Sequence, residues 1–238
     1  MSNTEKVYEQ AGVAMTCRGY AEYEAMFHIQ PGEFDGKTIL DVAAGASSFA
    51  AESAERGWTV TAADPMYELP HGRIYKHGLK EIEQSTAKLR RIQDVLDMSF
   101  YGNLETHQRQ RYLNLERFLN DYRKDVEREK RTYVASALPH LSFPDEAFDV
   151  VLCSHFLFLY ADQFSEQFHA EALRELVRVC RGQVRIYPLV SLQWESSSYL
   201  DALLARLEEQ FPVKCERLES RLPFIPGSNT QLCISRLE

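Results

Sequence analysis

Two acidic residues, Asp41 and Asp64, stand 23 positions apart, each at or near the end of a short apolar run. The first run, Thr38-Ile39-Leu40-Asp41-Val42, opens into Ala43-Ala44-Gly45-Ala46-Ser47-Ser48, a turn of small residues. The second, Trp58 to Ala63, ends in Asp64-Pro65. Small side chains at 43–47 let the backbone come close to a ligand, and Gly45 can take a positive φ. A carboxylate at position 64 can accept hydrogen bonds from both hydroxyls of a ribose. One glycine turn or one capping acid alone is ordinary. Together, at this spacing, they point to a nucleoside-containing ligand.

These residues need a sheet to hold them. Residues 5–29 read as a helix, with Tyr20, Tyr23, Met26 and Phe27 on one face, ended by Pro31-Gly32. Thr38 to Val42 reads as a buried strand, and Ser47 or Ser48 can cap a helix that stops at Gly57. Trp58 to Ala63 is a second strand. Two helical stripes follow, Leu89-Ile92-Leu96-Phe100 and Tyr112-Leu115-Leu119-Tyr122-Val126, with charged opposite faces. They form an insertion over about 68–131, ahead of a strand near Thr132 to Ala135. Strands at Phe148–Ser154 and Val184–Val190 flank a helix carrying Phe164, Phe168, Ala172, Leu176 and Val179. A helix over Tyr199–Phe211 precedes a closing antiparallel pair near Val213–Leu218 and Gln231–Leu237. Strands alternating with helices predict one α/β domain over 1–238, with a doubly wound, Rossmann-like, seven-stranded and mostly parallel sheet. In such a sheet ligands bind outside the carboxyl ends of the strands, where the 43–48 turn lies.

The ligand can be narrowed. A dinucleotide site wants Gly-x-Gly-x-x-Gly so that a pyrophosphate can sit on the helix N-terminus. Residues 43–48 hold one glycine, and an acid at Asp41 repels phosphate. S-adenosylmethionine has an ammonium and a sulfonium and no phosphate, so it suits the turn better. At these residues the chain resembles the class I S-adenosylmethionine-dependent methyltransferases. Asp41, Ala43 and Gly45 stand where that family has Asp-x-Gly-x-Gly, with Ala43 at the first glycine. Ala137 to Val151, which contains Leu141-Ser142-Phe143-Pro144-Asp145 and Phe148-Asp149, resembles a second family stretch. The resemblance implies that Asp64 binds the ribose and Met66 packs on adenine. It also implies that Ser136 accepts from the adenine amino group and that the Ala137 backbone serves adenine N1. The cofactor set it implies is Tyr20, Asp41, Ala43, Ala44, Gly45, Ser47, Asp64, Pro65, Met66, Ser136, Ala137, Leu138 and Ser154. Tyr20 and Tyr23 lie on the helix that in this family often closes over the cofactor, and Arg18 can reach the cofactor carboxylate.

Methyl transfer is an in-line displacement at a sulfonium carbon, so alignment and desolvation supply much of the acceleration. A base is needed only for a protonated acceptor. His155, at the end of the fourth strand, is the candidate base. Tyr160 is the candidate for orienting an acceptor. Each also has a structural reading, as a strand-end histidine and a packing aromatic. The seven histidines show no metal-ligand spacing, so no metal is expected.

The insertion carries 13 Lys and Arg against 10 Asp and Glu over residues 76–131, a net of +3, whereas the remainder stands at −11. It reads as a lid over the pocket or as a dimerisation arm. The mixed signs and the overall net charge of −8 speak against a nucleic-acid surface. Cys17, Cys153, Cys180, Cys215 and Cys233 form no Cys-x-x-Cys pair, which fits reduced thiols in the cytoplasm. No secretory signal and no membrane span are read. The expectation is methylation of a small molecule at N or O. The alternatives are an RNA or protein methyltransferase, a regulator that binds S-adenosylmethionine without transfer, and a nicotinamide oxidoreductase.

Overall fold

Thr38–Val42 forms the strand β1, and every residue after Thr38 is buried. The computed structural model describes residue 8 and residues 10–237. The other strands are β2 (Thr59–Ala63), β3 (Tyr133–Val134), β4 (Phe148–Ser154), β5 (Cys180–Tyr187), β6 (Val213–Glu219) and β7 (Thr230–Arg236). They make one sheet in the order β3-β2-β1-β4-β5-β7-β6. The pairings from β3 to β5 are parallel, and β7 runs antiparallel to β5 and β6. The doubly wound, mostly parallel sheet is therefore as the strand and helix pattern predicts.

Register sets the site. Val42 lies opposite Ala63 on one side and Cys153 on the other, and Ala63 lies opposite Val134. The central strands end at one level, so Ala43, Asp64 and the residues after Val134 and Ser154 leave the sheet side by side. Alternation along β1 decides what faces where. Ile39 packs into one core layer, and Leu40 and Val42 pack into the other. Asp41 therefore follows Ile39 onto the first face.

Helices α1 (Tyr20–Phe27), α2 (Phe49–Ala54), α3 (His71–Arg91) and α4 (Leu104–Arg128) supply residues to the first layer. Helices α5 (Glu166–Val179) and α6 (Leu200–Gln210) supply the second. Large side chains with almost no exposure, such as Phe49 and Phe118 in the first layer and Leu176 in the second, each contribute about 2 kcal/mol by leaving water. Gly78 lets α3 approach α4: a Cβ there would lie 2.8 Å from Leu115 Cδ1 and 2.9 Å from Met15 Cε.

Several expected elements need correction. The helix over 5–29 shrinks to Tyr20–Phe27, and residues 5–7 and 9 lie outside the described residues. Residues 14–18 run as an irregular strap because their backbone groups bond elsewhere. Thr16 O accepts from Ala46 N at 3.0 Å, Arg18 O accepts from Ser48 N at 2.8 Å, and Ala14 N donates to the Tyr160 hydroxyl at 3.0 Å. The stripe Leu89 to Phe100 is not one helix, since α3 stops at Arg91 and a short 3-10 turn follows. The buried stripe of α3 is Ile74, Gly78, Ile82, Thr86 and Leu89, and its glycine and threonine disguised the period. On α4, Val126 is 61% exposed and its neighbour Asp125 is buried instead, while Phe118 joins the buried stripe. Phe164 precedes α5, whose N-cap is Ser165, and β5 begins at Cys180 with no intervening turn.

Candidate functional site

The turn after β1 is built from two residues with positive φ, Ala43 at 55° and Gly45 at 58°. Gly45 has no freedom to be anything larger. A Cβ there would meet Thr16 O at 3.0 Å and Thr16 N at 3.2 Å, because the strap crosses directly over the turn. Ala43 holds a left-handed conformation that costs an L-residue about 1 kcal/mol. The turn is tied to the acid after β2: Gly45 N donates to Asp64 Oδ2 at 2.9 Å and Met66 N donates to Asp64 Oδ1 at 3.0 Å. Tyr67 donates its hydroxyl to Gly45 O at 2.8 Å, and Tyr122 of α4 donates to Tyr67 O at 2.9 Å. Two tyrosines thus run from α4 to the turn.

A cavity of about 250 Å³ opens at this end of the sheet. Ala43, Gly45, Asp64, Pro65, Met66, Ser136, Ala137 and Leu138 all line it, together with His155. Burial pushes the Asp64 carboxyl up, and the Met66 and Gly45 N–H groups pull it back. Each oxygen accepts one backbone hydrogen bond and keeps a further lone pair. Ser136 Oγ accepts from Ser142 N at 2.9 Å, and its own proton is available to donate. The donor set fits a nucleoside: an acid placed for ribose, apolar Met66 and Leu138 for a base, and a hydroxyl at the base edge.

Five residues of the expected cofactor set stand behind this wall. Asp41 is 1% exposed and its Oδ2 accepts from the Tyr23 hydroxyl at 2.8 Å, on the α1 face that strand alternation assigns it. Its Oδ1 has no hydrogen-bond partner among the described residues, and burial pushes its carboxyl up to about 8. Ser154 Oγ donates to the Tyr23 hydroxyl at 3.3 Å. Ser47 Oγ donates to Arg18 O at 3.0 Å and accepts from Phe49 N at 3.1 Å, so it fastens the strap. Ala44 is buried, and its N–H donates to Ala63 O at 3.3 Å. Tyr20 packs far from the cavity, between Phe49 and Trp58 and under the Arg56 guanidinium at 3.7 Å. Arg18 turns inward to Glu22 at 2.9 Å.

A second, mostly apolar cavity of about 70 Å³ adjoins the first. The two share Ala14, Met15, Thr16 and His155. Tyr160 lines the second cavity, with its hydroxyl already accepting from Ala14 N. Glu81, Ser85 and Leu89 of α3 and Arg111 of α4 form its insertion side. A larger concavity, about 690 Å³ between α2 and α4, contains no strand-end residue.

His155 sits where the cavities meet, at φ 52°, with its backbone N–H donating to Tyr187 O at 2.6 Å. Burial holds its imidazole well below the usual range, and the Arg18 and Arg111 charges add to this. The ring is neutral at working pH, and Nδ1 has no partner among the described residues. Nδ1 is itself buried, so a ligand at the junction can meet the ring only through Nε2. Among the described residues no group of histidine, cysteine or acidic side chains is placed to hold a metal.

The strap residues Val13–Thr16, His77 and Phe156 line the first cavity without having been read in the sequence. The strap carries no local motif. Arg111 did leave a signal, since it continues the apolar stripe of Leu115, Phe118 and Tyr122 at helical spacing, where a charge is out of place.

Residues 112–187 match the family model described as a methyltransferase domain. The chain is 30% identical over 220 residues to the uncharacterized protein MJ0045 of Methanocaldococcus jannaschii, covering 92% of this chain and 94% of that one. Solved structures with related outlines include the 1,6-didemethyltoxoflavin-N1-methyltransferase of Burkholderia thailandensis, with 1,6-didemethyltoxoflavin and S-adenosylhomocysteine bound. It is 16% identical, with a TM-score of 0.48 over 92% of this chain and 79% of that one. A TehB-like methyltransferase of Corynebacterium glutamicum is 16% identical, with a TM-score of 0.47 over 92% and 88%.

Proposed function

We propose that this chain, which belongs to the class I S-adenosylmethionine-dependent methyltransferases and to the same family as the Methanocaldococcus jannaschii protein, methylates a small molecule at nitrogen or oxygen. The observation that carries the acceptor class is the pair of adjoining cavities. One is lined by Asp64, Met66 and Ser136; the other is small and mostly apolar, and His155 lines both. A room of about 70 Å³ suits a compact acceptor rather than a polymer.

S-adenosylmethionine supplies an electrophilic methyl on a sulfonium. Asp64 is the group to receive the ribose hydroxyls, Met66 and Leu138 to sandwich the base, and Ser136 to meet its edge. The bare backbone of Ala43 and Gly45 admits the chain of the cofactor. Met15 and the strap exclude water from the junction, which strengthens alignment. His155, neutral and lining both cavities, takes at Nε2 the proton that an N–H or O–H acceptor must lose. Its depressed basicity favours an acceptor that sheds its proton after the methyl arrives, when the product is most acidic. Tyr160 lines the acceptor room and anchors the strap. The insertion acts as the wall and lid of that room, because α3 and α4 both contribute to it. A cytoplasmic setting is part of this reading, supported by five free cysteines. No described helix is long and apolar enough to cross a membrane.

The test is methyl-labelled S-adenosylmethionine with a cell extract separated by size. Label in the small-molecule fraction, with S-adenosylhomocysteine released, is the expected result. Label in RNA or protein would replace the acceptor class. Tight S-adenosylhomocysteine binding without turnover on any fraction would favour a sensor.

A further inference from the structure

We infer that the acceptor carries a carboxylate, held by Arg111. This deepens the methyl-transfer reading and rests on it, because it takes the small cavity to be the acceptor room. Arg111 is 7% exposed and contributes to the lining of that cavity. Its Nε donates to His107 Nε2 at 3.0 Å, and this histidine is kept neutral by burial, with the Arg111 charge adding to it. A neutral ring orients the guanidinium and leaves its charge uncompensated. Among the described residues no carboxylate lies within 4 Å of it.

The neighbouring charges are already accounted for. Arg18, also in the lining, is paired with Glu22 at 2.9 Å. Glu81 of α3, half-buried, lines the same cavity but makes no ion pair with Arg111 within 4 Å, which leaves the guanidinium fork open. Arg111 is therefore the one buried cation of this lining whose terminal nitrogens have no anionic partner among the described residues. Taking a cation out of water without a counter-charge costs several kcal/mol. Such a group persists where an anion completes it, and a guanidinium fork matches a carboxylate in two parallel hydrogen bonds. The remaining lining is apolar and aromatic, with Leu89, Trp194 and Phe224 around the same space. The match is a small aromatic or apolar acid, with the carboxylate toward α4 and the reacting atom toward His155.

The test uses the full chain saturated with S-adenosylhomocysteine, with phenylacetate and phenylacetamide as probes, read by calorimetry and melting temperature. We expect phenylacetate to bind at least about tenfold more tightly than the amide, the size of one charge-assisted hydrogen bond. Arg111→Met should abolish that preference, Arg111→Lys should keep part of it, and both should retain the S-adenosylhomocysteine shift. An amide that binds as well as the acid overturns the inference, as does a preference that survives in Arg111→Met. Should Arg111→Met not fold, the wild-type comparison and Arg111→Lys still decide it. Absence of any S-adenosylhomocysteine shift in the wild type would instead strike the methyl-transfer reading itself.

Discussion

The backbone N–H of Gly45 donates to Asp64 Oδ2 at 2.9 Å, so the turn after β1 and the acid after β2 form one unit. The acid holds the turn in shape from the neighbouring strand, and the turn fixes the direction in which the acid presents its free lone pairs.

Asp64→Asn should therefore do double harm. An amide nitrogen replaces one acceptor and faces either Gly45 N or Met66 N, donor against donor. S-adenosylhomocysteine binding should weaken by roughly tenfold or more, and stability should fall by about 1–3 kcal/mol. Calorimetry and denaturant unfolding check both numbers, and unchanged affinity would remove Asp64 from the cofactor site.

Ala43 and Gly45 should respond differently. Gly45→Ala places a Cβ 3.0 Å from Thr16 O in a left-handed conformation and should cost about 1–3 kcal/mol. Ala43→Gly relieves the strain of a φ of 55° and should leave stability within about 1 kcal/mol of wild type while preserving cofactor affinity. Paired melting curves with and without S-adenosylhomocysteine decide this.

Asp41 predicts a pH dependence. Its folded value of about 8 lies above the ordinary 3.8 because the carboxyl is buried. Between these values the folded protein holds a proton that the unfolded chain releases, so this group's contribution falls as pH rises, by up to about 1.4 kcal/mol per unit. Asp41→Asn does not titrate. Its stability relative to wild type, without cofactor, should rise from pH 5 to pH 8; a gap independent of pH would contradict the burial argument.

His155→Asn should retain cofactor binding, since Asn tolerates positive φ, and should lower turnover by roughly 10²-fold. Because burial holds the wild-type imidazole well below its usual range, the kcat profile should show no limb near pH 6.5. A limb there that vanishes in His155→Asn would show an imidazole in contact with water.

Tyr160→Phe removes the acceptor for Ala14 N and should cost about 1 kcal/mol. Amide exchange at residues 14–16 should quicken while α5 stays protected. Unchanged exchange would mean that the strap is held by its bonds to residues 46–48 alone.

What the sequence by itself determined is local and periodic. The apolar runs set β1, β2, β3 and β4, the small residues set the turn, Asp64 and Met66 follow β2, and Ser136 and Leu138 follow β3 by a few residues. A parallel sheet brings such positions to one edge wherever its strands end level, so their meeting was legible. The fold class was legible for the same reason. Tertiary structure decided which side chains line the cavities. Asp41 sits in the same run, yet strand alternation turns it onto α1, where Tyr23 meets it. Tyr20 has the helical spacing of Tyr23 but packs under Arg56. The strap at 14–18 looks helical until its carbonyls find Ala46 and Ser48. Arg111 and His155 lie 44 residues apart and share a cavity only because α4 folds back beside the end of β4. Hydrogen bonds and burial between distant segments carry no period, so those parts of the site appear only once the chain has closed on itself.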